Sequence, residues 1–143
     1  LSTRVARSVA NIAVPNPEGV RAIDPCCGMG TVVVEALWMG INIVGRDINS
    51  LVVLGTRKNI AHFGLEGTVT KGPIEEITEN YDVAIIYMPY DLFTYATPED
   101  HLSILSSARR IAKTVVGVPM ETKDDMLPEA GFEITNERTT KTE

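Results

Sequence analysis

The sequence predicts an α/β fold: a mostly parallel, twisted sheet with helices on both faces. Three observations carry this. Strand-like and helix-like segments alternate along the chain. The strand candidates are short, continuous apolar runs, the pattern of strands buried on both faces. The helix candidates are punctuated, ending at Gly40 and Gly64.

The elements follow in order. Val5, Val9, Ile12 and Ala13 recur at helical spacing, which predicts a helix over residues 2–13 that Pro15-Asn16-Pro17 ends. Val20 to Ile23 is a first strand, stopping at Asp24-Pro25. Gly28 to Gly30 form a tight turn, and Thr31 to Met39 is a helix. Ile41 to Gly45 is a second strand, closing at Arg46-Asp47. Asn49 or Ser50 caps the next helix, which runs to about Phe63. Glu66 to Thr70 and Asp82 to Tyr87 are the third and fourth strands. Thr97-Pro98-Glu99-Asp100 starts a helix with a capping Thr, Pro in the first turn and an acid three residues on. Its packed face runs His101, Ile104, Leu105, Ala108, Ile111, Ala112. Thr114 to Val118 is a fifth strand, residues 122–130 a short helix, and Phe132 to Asn136 the start of a sixth strand.

The 143 residues fit one domain over 1–143, with a lead-in helix at 1–14 and an α/β core at 20–143. Hydrophobic residues at 44% and charged residues at 22% are ordinary for a globular protein. No apolar run approaches the roughly 20 residues of a membrane span, and no signal peptide is visible; a cytoplasmic location is expected. The adjacent Cys26 and Cys27 are poorly placed for a disulfide and read as free thiols, in the simplest case small buried apolar side chains. The net charge of −6 argues against strong autonomous binding to nucleic acid. Arg4, Arg7 and Arg21 make the N-terminal end locally basic, which plain solvated charge also explains.

Ligands of such sheets bind at the carboxyl ends of the strands, beside the first. There the chain reads Asp24-Pro25-Cys26-Cys27-Gly28-Met29-Gly30-Thr31, after a strand and opening a helix. Gly28 and Gly30 let main chain approach a ligand where a Cβ would collide, and the first turn of the helix offers unpaired N–H groups. A tight strand-to-helix turn with no ligand is the competing explanation. Asp47 ends the second strand about 20 residues beyond the glycines, where a carboxylate can accept hydrogen bonds from both ribose hydroxyls. Val33 stands where a dinucleotide fingerprint has its third glycine. Asp24 would repel phosphate and could face the ammonium of an amino-acid moiety. Both favour a nucleoside without phosphates over a pyrophosphate, and weaken a nucleotide-binding oxidoreductase as an alternative.

The segment D-P-C-C-G-M-G-T, with Glu35 four residues further, resembles the D-P-F-C-G-S-G-T…E motif of the RNA methyltransferases associated with an upstream THUMP domain. The helix containing R-V-A-R-S-V-A-N-I-A is similar to that family's lead-in. The resemblance implies a Rossmann-like class I methyltransferase fold. It also implies S-adenosylmethionine (SAM) as cofactor, S-adenosylhomocysteine as product, and methylation of RNA, with guanine N2 of tRNA or rRNA favoured. The implied cofactor residues are Asp24, Cys26, Cys27, Gly28, Met29, Gly30, Thr31, Asp47, Ile48, Gly72, Pro73 and Ile74. Asp47, in Gly45-Arg46-Asp47, would hold the ribose. A chain starting at Leu1 leaves room for an upstream RNA-binding domain.

Two motifs depart from the family. The third usually has an acid after Gly that reaches the adenine amino group; here Lys71-Gly72-Pro73-Ile74 has Pro73 instead. Adenine would then rely on main chain and on Ile48 and Ile74, with weaker binding. The fourth, catalytic motif usually reads Asp or Asn, then Pro-Pro-Tyr or Pro-Pro-Phe; here it is Tyr87-Met88-Pro89-Tyr90. A carboxylate or amide oxygen would accept an amine's hydrogens and aim its lone pair at the methyl group. Tyr87 offers a phenol; Tyr90 could stack on a base. Four of the eight aromatic residues, Tyr87, Tyr90, Phe93 and Tyr95, cluster here, as at a base-binding site or in a loop that packs its own rings. Trp38 and Phe63 are expected in the core, His101 in a structural role and His62 on the surface. No His or Cys has metal-ligand spacing, so no metal is expected. Alternatives to an active RNA enzyme are a methyltransferase-like module that binds without catalysis, and a small-molecule methyltransferase.

Overall fold

The computed structural model describes residues 3–88 and 98–119. Helix α1 (Thr3–Ala13) leads into β1 (Arg21–Asp24), α2 (Thr31–Trp38), β2 (Asn42–Asp47), α3 (Ser50–His62) and β3 (Thr68–Lys71). A 3-10 turn (Ile74–Glu76), β4 (Tyr81–Met88), α4 (Pro98–Ile111) and β5 (Ala112–Pro119) follow. The five strands form one sheet in the order β3-β2-β1-β4-β5. Every pairing is parallel, with Asp24 beside Gly45 and Asp47 beside Lys71. The order reverses at β1, which places the switch point where the glycine bend begins.

Side chains alternate across a strand, so a sheet covered on both faces needs apolar residues at consecutive positions. β4 shows this directly. Val83 and Ile85 enter a core built with α1, α2 and α3, whereas Ala84 and Ile86 enter a second core with the 3-10 turn and α4. β1 divides the same way, with Ala22 in the first core and Ile23 in the second. Leu105, Ala108 and Ile111 of α4 are buried, and Ile104 and Ala112 pack partly against that core.

The strands lie close to their expected positions. β1, β2 and β3 run one residue or more further toward their carboxyl ends than the apolar runs suggest, because sheet pairing continues into Asp24, Arg46-Asp47 and Lys71. Asn49 is the cap of α3, its side chain accepting from the Leu51 N–H at 3.0 Å. The expected Thr97 cap, helix 122–130 and strand at Phe132–Asn136 lie outside the described residues.

Trp38 and Phe63 are not core residues: they are 65% and 53% exposed. α2 turns Val32, Val33 and Ala36 toward the sheet, and Trp38, two positions beyond Ala36, falls on its outer side. Phe63 follows the last turn of α3 and makes an edge contact with His62 at 5.0 Å between ring centroids. His62 is exposed, as expected. Trp38 and Phe63 line an outer groove of about 360 Å³ with Arg7, Met29, Val34 and Asn59. Among the described residues no helix is long and apolar enough to cross a membrane.

Two expected basic residues serve the fold. Arg7 donates to the Glu35 carboxylate at 3.2 Å, tying the lead-in helix to α2. Arg21 donates through Nη1 to the Asn80 carbonyl and lies over the Tyr81 ring, 5.0 Å from its centroid.

Candidate functional site

β1 ends at Asp24, whose side chain is 2% exposed. Its Oδ1 accepts from the Cys26 N–H at 3.3 Å, turning the chain into the bend. Burial is the main reason its carboxyl is pushed up to about 7; the Cys26 N–H lowers it and the neighbouring Asp47 raises it. The carboxylate is thus a buried element of the bend rather than an exposed one. Cys26 and Cys27 are free thiols, both pushed up to about 12, first by burial and then by the charges of Asp24 and Asp47. At neutral pH they are protonated and therefore poor nucleophiles and poor metal ligands. Among the described residues, no three or more His, Cys, Asp and Glu side chains are grouped so as to hold a metal ion.

Asp47, at the tip of β2, is the hub. Its Oδ2 accepts from the Gly28 N–H and its Oδ1 from the Asn49 N–H, both at 2.9 Å. Its backbone carbonyl accepts from the Gly72 N–H at 2.9 Å, and the Arg46 carbonyl from the Cys27 N–H at 2.9 Å. One residue therefore joins the bend after β1, the cap of α3 and the turn after β3. A carboxylate has about four acceptor sites, so two such bonds leave capacity for further donors.

The glycines of the bend have separate reasons. Gly28 has φ +56° and open space where a Cβ would be, so its side toward solvent is unobstructed. Gly30, at φ +81°, faces protein: an added Cβ would lie 2.3 Å from Thr56 Cγ2. The close approach at Gly30 is thus between the bend and α3. Thr56 Oγ1 also donates to the Gly28 carbonyl at 2.8 Å, and Asn59 Nδ2 to the Met29 carbonyl at 3.2 Å. Met29 is 58% exposed, and Thr31 opens α2 with no side-chain cap before it.

At the turn after β3, Pro73 has the β conformation and Ile74 is 4% exposed, packed into the second core. Ile74 is therefore not presented to a ligand as the sequence suggests, because it anchors the 3-10 turn beneath α4. Ile48 is presented, at 70% exposure. Tyr87 and Met88 close β4 at the same sheet edge, paired with Val118 and Pro119; their side chains, with Pro89, Tyr90, Phe93 and Tyr95, lie outside the described residues, as does the side chain of His101.

Asp24, Cys26, Cys27, Gly28, Asp47, Ile48 and Gly72 thus gather at one edge, with Tyr87 and Met88 on the strand flanking β1. Two contributors carry no sequence motif: Thr56, which donates to the Gly28 carbonyl, and Arg110, which donates to the Glu75 and Ile77 carbonyls. Arg46 lies inside the Gly45-Arg46-Asp47 triplet and could have been noticed there. Thr56 and Arg110 act from helices at no diagnostic spacing.

A parallel sheet of this order, with acids ending β1 and β2 around a glycine bend, defines a Rossmann-like α/β domain with its binding crevice at the carboxyl ends of the strands. The profile of the RMKL-like methyltransferase domain matches residues 1–116. The human U6 snRNA (guanine-N(2))-methyltransferase THUMPD2 is 30% identical over 118 residues, 78% of this chain and 23% of that protein. The tRNA (guanine(10)-N2)-dimethyltransferase of Methanothermobacter thermautotrophicus is 40% identical over 65 residues, 46% of this chain and 19% of that protein. Magnesium protoporphyrin IX methyltransferase from Synechocystis PCC 6803, solved with bound SAM, shares the fold with a TM-score of 0.77 at 20% identity, over 99% of this chain and 74% of that one. The chain belongs to the RMKL-like methyltransferase domain family, which bears out the resemblance to THUMP-associated RNA methyltransferases. It spans about a fifth of the length of these two curated relatives.

Proposed function

We propose that this chain binds SAM at the edge formed by β1, β2 and the turn after β3, and serves methylation of an exocyclic guanine amine in RNA. The carrying observation is the acidic, phosphate-repelling bend: Asp24 and Asp47 end adjacent strands around half-buried main chain at Cys26 and Gly28. A ligand with an ammonium and a sulfonium suits two carboxylates; a pyrophosphate does not. SAM, when bound, supplies an electrophilic methyl group. Asp47 would hold the sugar on its remaining acceptor capacity, Ile48 would cover a face of the adenine, and Asp24 would balance the cationic end. The RNA substrate is supported by the names of the relatives, both guanine N2 methyltransferases.

Tyr87 and Met88 favour a second reading, a domain that binds cofactor with impaired catalysis. Tyr87 stands where the family has Asp or Asn, and a phenol oxygen accepts a hydrogen bond from an amine less readily than a carboxylate or amide oxygen does. One experiment separates the two. Calorimetry with S-adenosylhomocysteine tests binding, and transfer of labelled methyl from SAM to tRNA, rRNA and U6 snRNA tests activity. Binding with transfer supports the enzyme. Binding without transfer, with transfer gained by the Tyr87→Asp, Met88→Pro double variant, supports the second reading. No binding would overturn both.

A further inference from the structure

The turn that would meet the adenine has no side chain suited to recognise it. Pro73 carries no acceptor, and Ile74 faces the second core. Main chain remains, and main chain discriminates between ligands only where it is held in one geometry.

Arg46 supplies that hold. Its side chain is 16% exposed. Nε donates to the Pro73 carbonyl at 3.1 Å and Nη1 to Thr70 Oγ1 at 3.2 Å. Nη2 lies 3.8 Å from the Glu76 carboxylate, a contact that adds little because that carboxylate is 71% exposed. The guanidinium fills the space beside Gly72: a Cβ there would lie 2.2 Å from Nη2 and 2.8 Å from Cζ. Gly72, at φ +148°, therefore makes room for Arg46, and its own N–H is taken by the Asp47 carbonyl. From the other side Arg110 of α4 donates to the Ile77 carbonyl at 2.6 Å and the Glu75 carbonyl at 3.2 Å. The stretch from Gly72 to Ile77 is thus tied to β2 at one end and to α4 at the other. A planar fork suits Arg46, since one rigid group bonds Pro73 and Thr70 together and occupies the space beside Gly72.

We propose that Arg46 is a positioning residue for nucleobase selection. Its guanidinium sets the main chain of Gly72-Pro73-Ile74 through the Pro73 carbonyl, so that the Gly72 carbonyl and the Ile74 N–H read the amino-purine edge in place of a carboxylate. This rests on the SAM reading above. The test compares binding of S-adenosylhomocysteine with S-inosylhomocysteine, which carries a 6-oxo group instead of the amine, in wild type and Arg46→Met.

Wild type should prefer the adenine compound by about 10-fold, the size of one or two hydrogen bonds. In Arg46→Met that preference should fall to within about 3-fold, with a cooperative thermal transition retained. A merely structural loss would weaken both ligands together and leave the ratio unchanged; an unchanged ratio in a folded variant overturns the proposal, as does equal binding of both ligands by wild type. Failure of wild type to bind S-adenosylhomocysteine overturns the cofactor reading itself. If Arg46→Met does not fold, Arg46→Lys is read by the same ratio, which should again fall. Gly72→Ala displaces the guanidinium and should lower the ratio too, with Arg46→Met adding nothing further to it.

Discussion

Among the described residues Asp24 has no cationic partner, only the Cys26 N–H, and it is buried beside a second acid. Its carboxyl is pushed up to about 7. The native state therefore holds this proton more tightly than the unfolded chain does. The stabilisation is complete below the ordinary carboxylate range and is lost as pH rises through about 7. Asp24→Asn keeps an acceptor for Cys26 and removes the titration. Its gain in unfolding temperature over wild type should be larger at pH 8 than at pH 5, by the equivalent of about 2–3 kcal/mol. Thermal melts at the two pH values check this; equal gains at both would mean that Asp24 does not titrate as described. A ligand ammonium placed at Asp24 reverses the preference, because it stabilises the carboxylate. Binding of S-adenosylhomocysteine should then strengthen from pH 6 to pH 8 with proton release, which calorimetry in buffers of different ionisation heat measures. For Asp47→Ala the expected loss of affinity is about 1–3 kcal/mol, the range of a charge-assisted hydrogen bond. Unchanged affinity would place the sugar elsewhere.

Between elements, the bend and α3 are fitted to each other through one pair. Gly30→Ala would put a Cβ 2.3 Å from Thr56 Cγ2 at a φ that side chains avoid. The expected cost is about 2–4 kcal/mol of stability. Thr56→Ala alone loses the bond to the Gly28 carbonyl, about 1 kcal/mol. In the double variant the steric part of the Gly30 penalty should shrink, leaving the backbone part, and denaturant titration of all four proteins gives the coupling. Strict additivity would mean that the clash relaxes elsewhere. This pair also marks a boundary of what is legible in a sequence. The bend after β1 is visible because strand, acid and glycines are contiguous. The reason for Gly30 is not, because its partner lies on another helix and threonine in a helix carries no signal. Ile74 is similar: an apolar residue after a loop suits a nucleobase or a core equally well, and only the position of α4 decides.

At the scale of the whole molecule, period and punctuation specify the parallel sheet well, since buried strands and helix ends are local properties. They specify the outer side of the helix layer poorly. Trp38 and Phe63 look like core by composition, yet the sheet-facing positions of α2 are taken by valine and alanine, and the aromatics fall outside. The lead-in helix shows the opposite. It looks like an appendage before the first strand, but Ala6, Val9 and Ala10 are buried in the same core as Val33, Ile43 and Ile85. α1 is therefore a structural wall of the fold, while the candidate site sits at the carboxyl edge of β1 and β2. The two should separate experimentally. Val9→Ala removes two buried methyl groups and should cost about 1–2.5 kcal/mol, lowering the denaturant midpoint with little change in slope. Affinity for S-adenosylhomocysteine, measured where the variant is still folded, should stay within about twofold of wild type, because distant sites act independently. A large loss of affinity with little loss of stability would show that α1 reaches the bend through α2, and that the Arg7–Glu35 pair belongs to the site rather than to the scaffold.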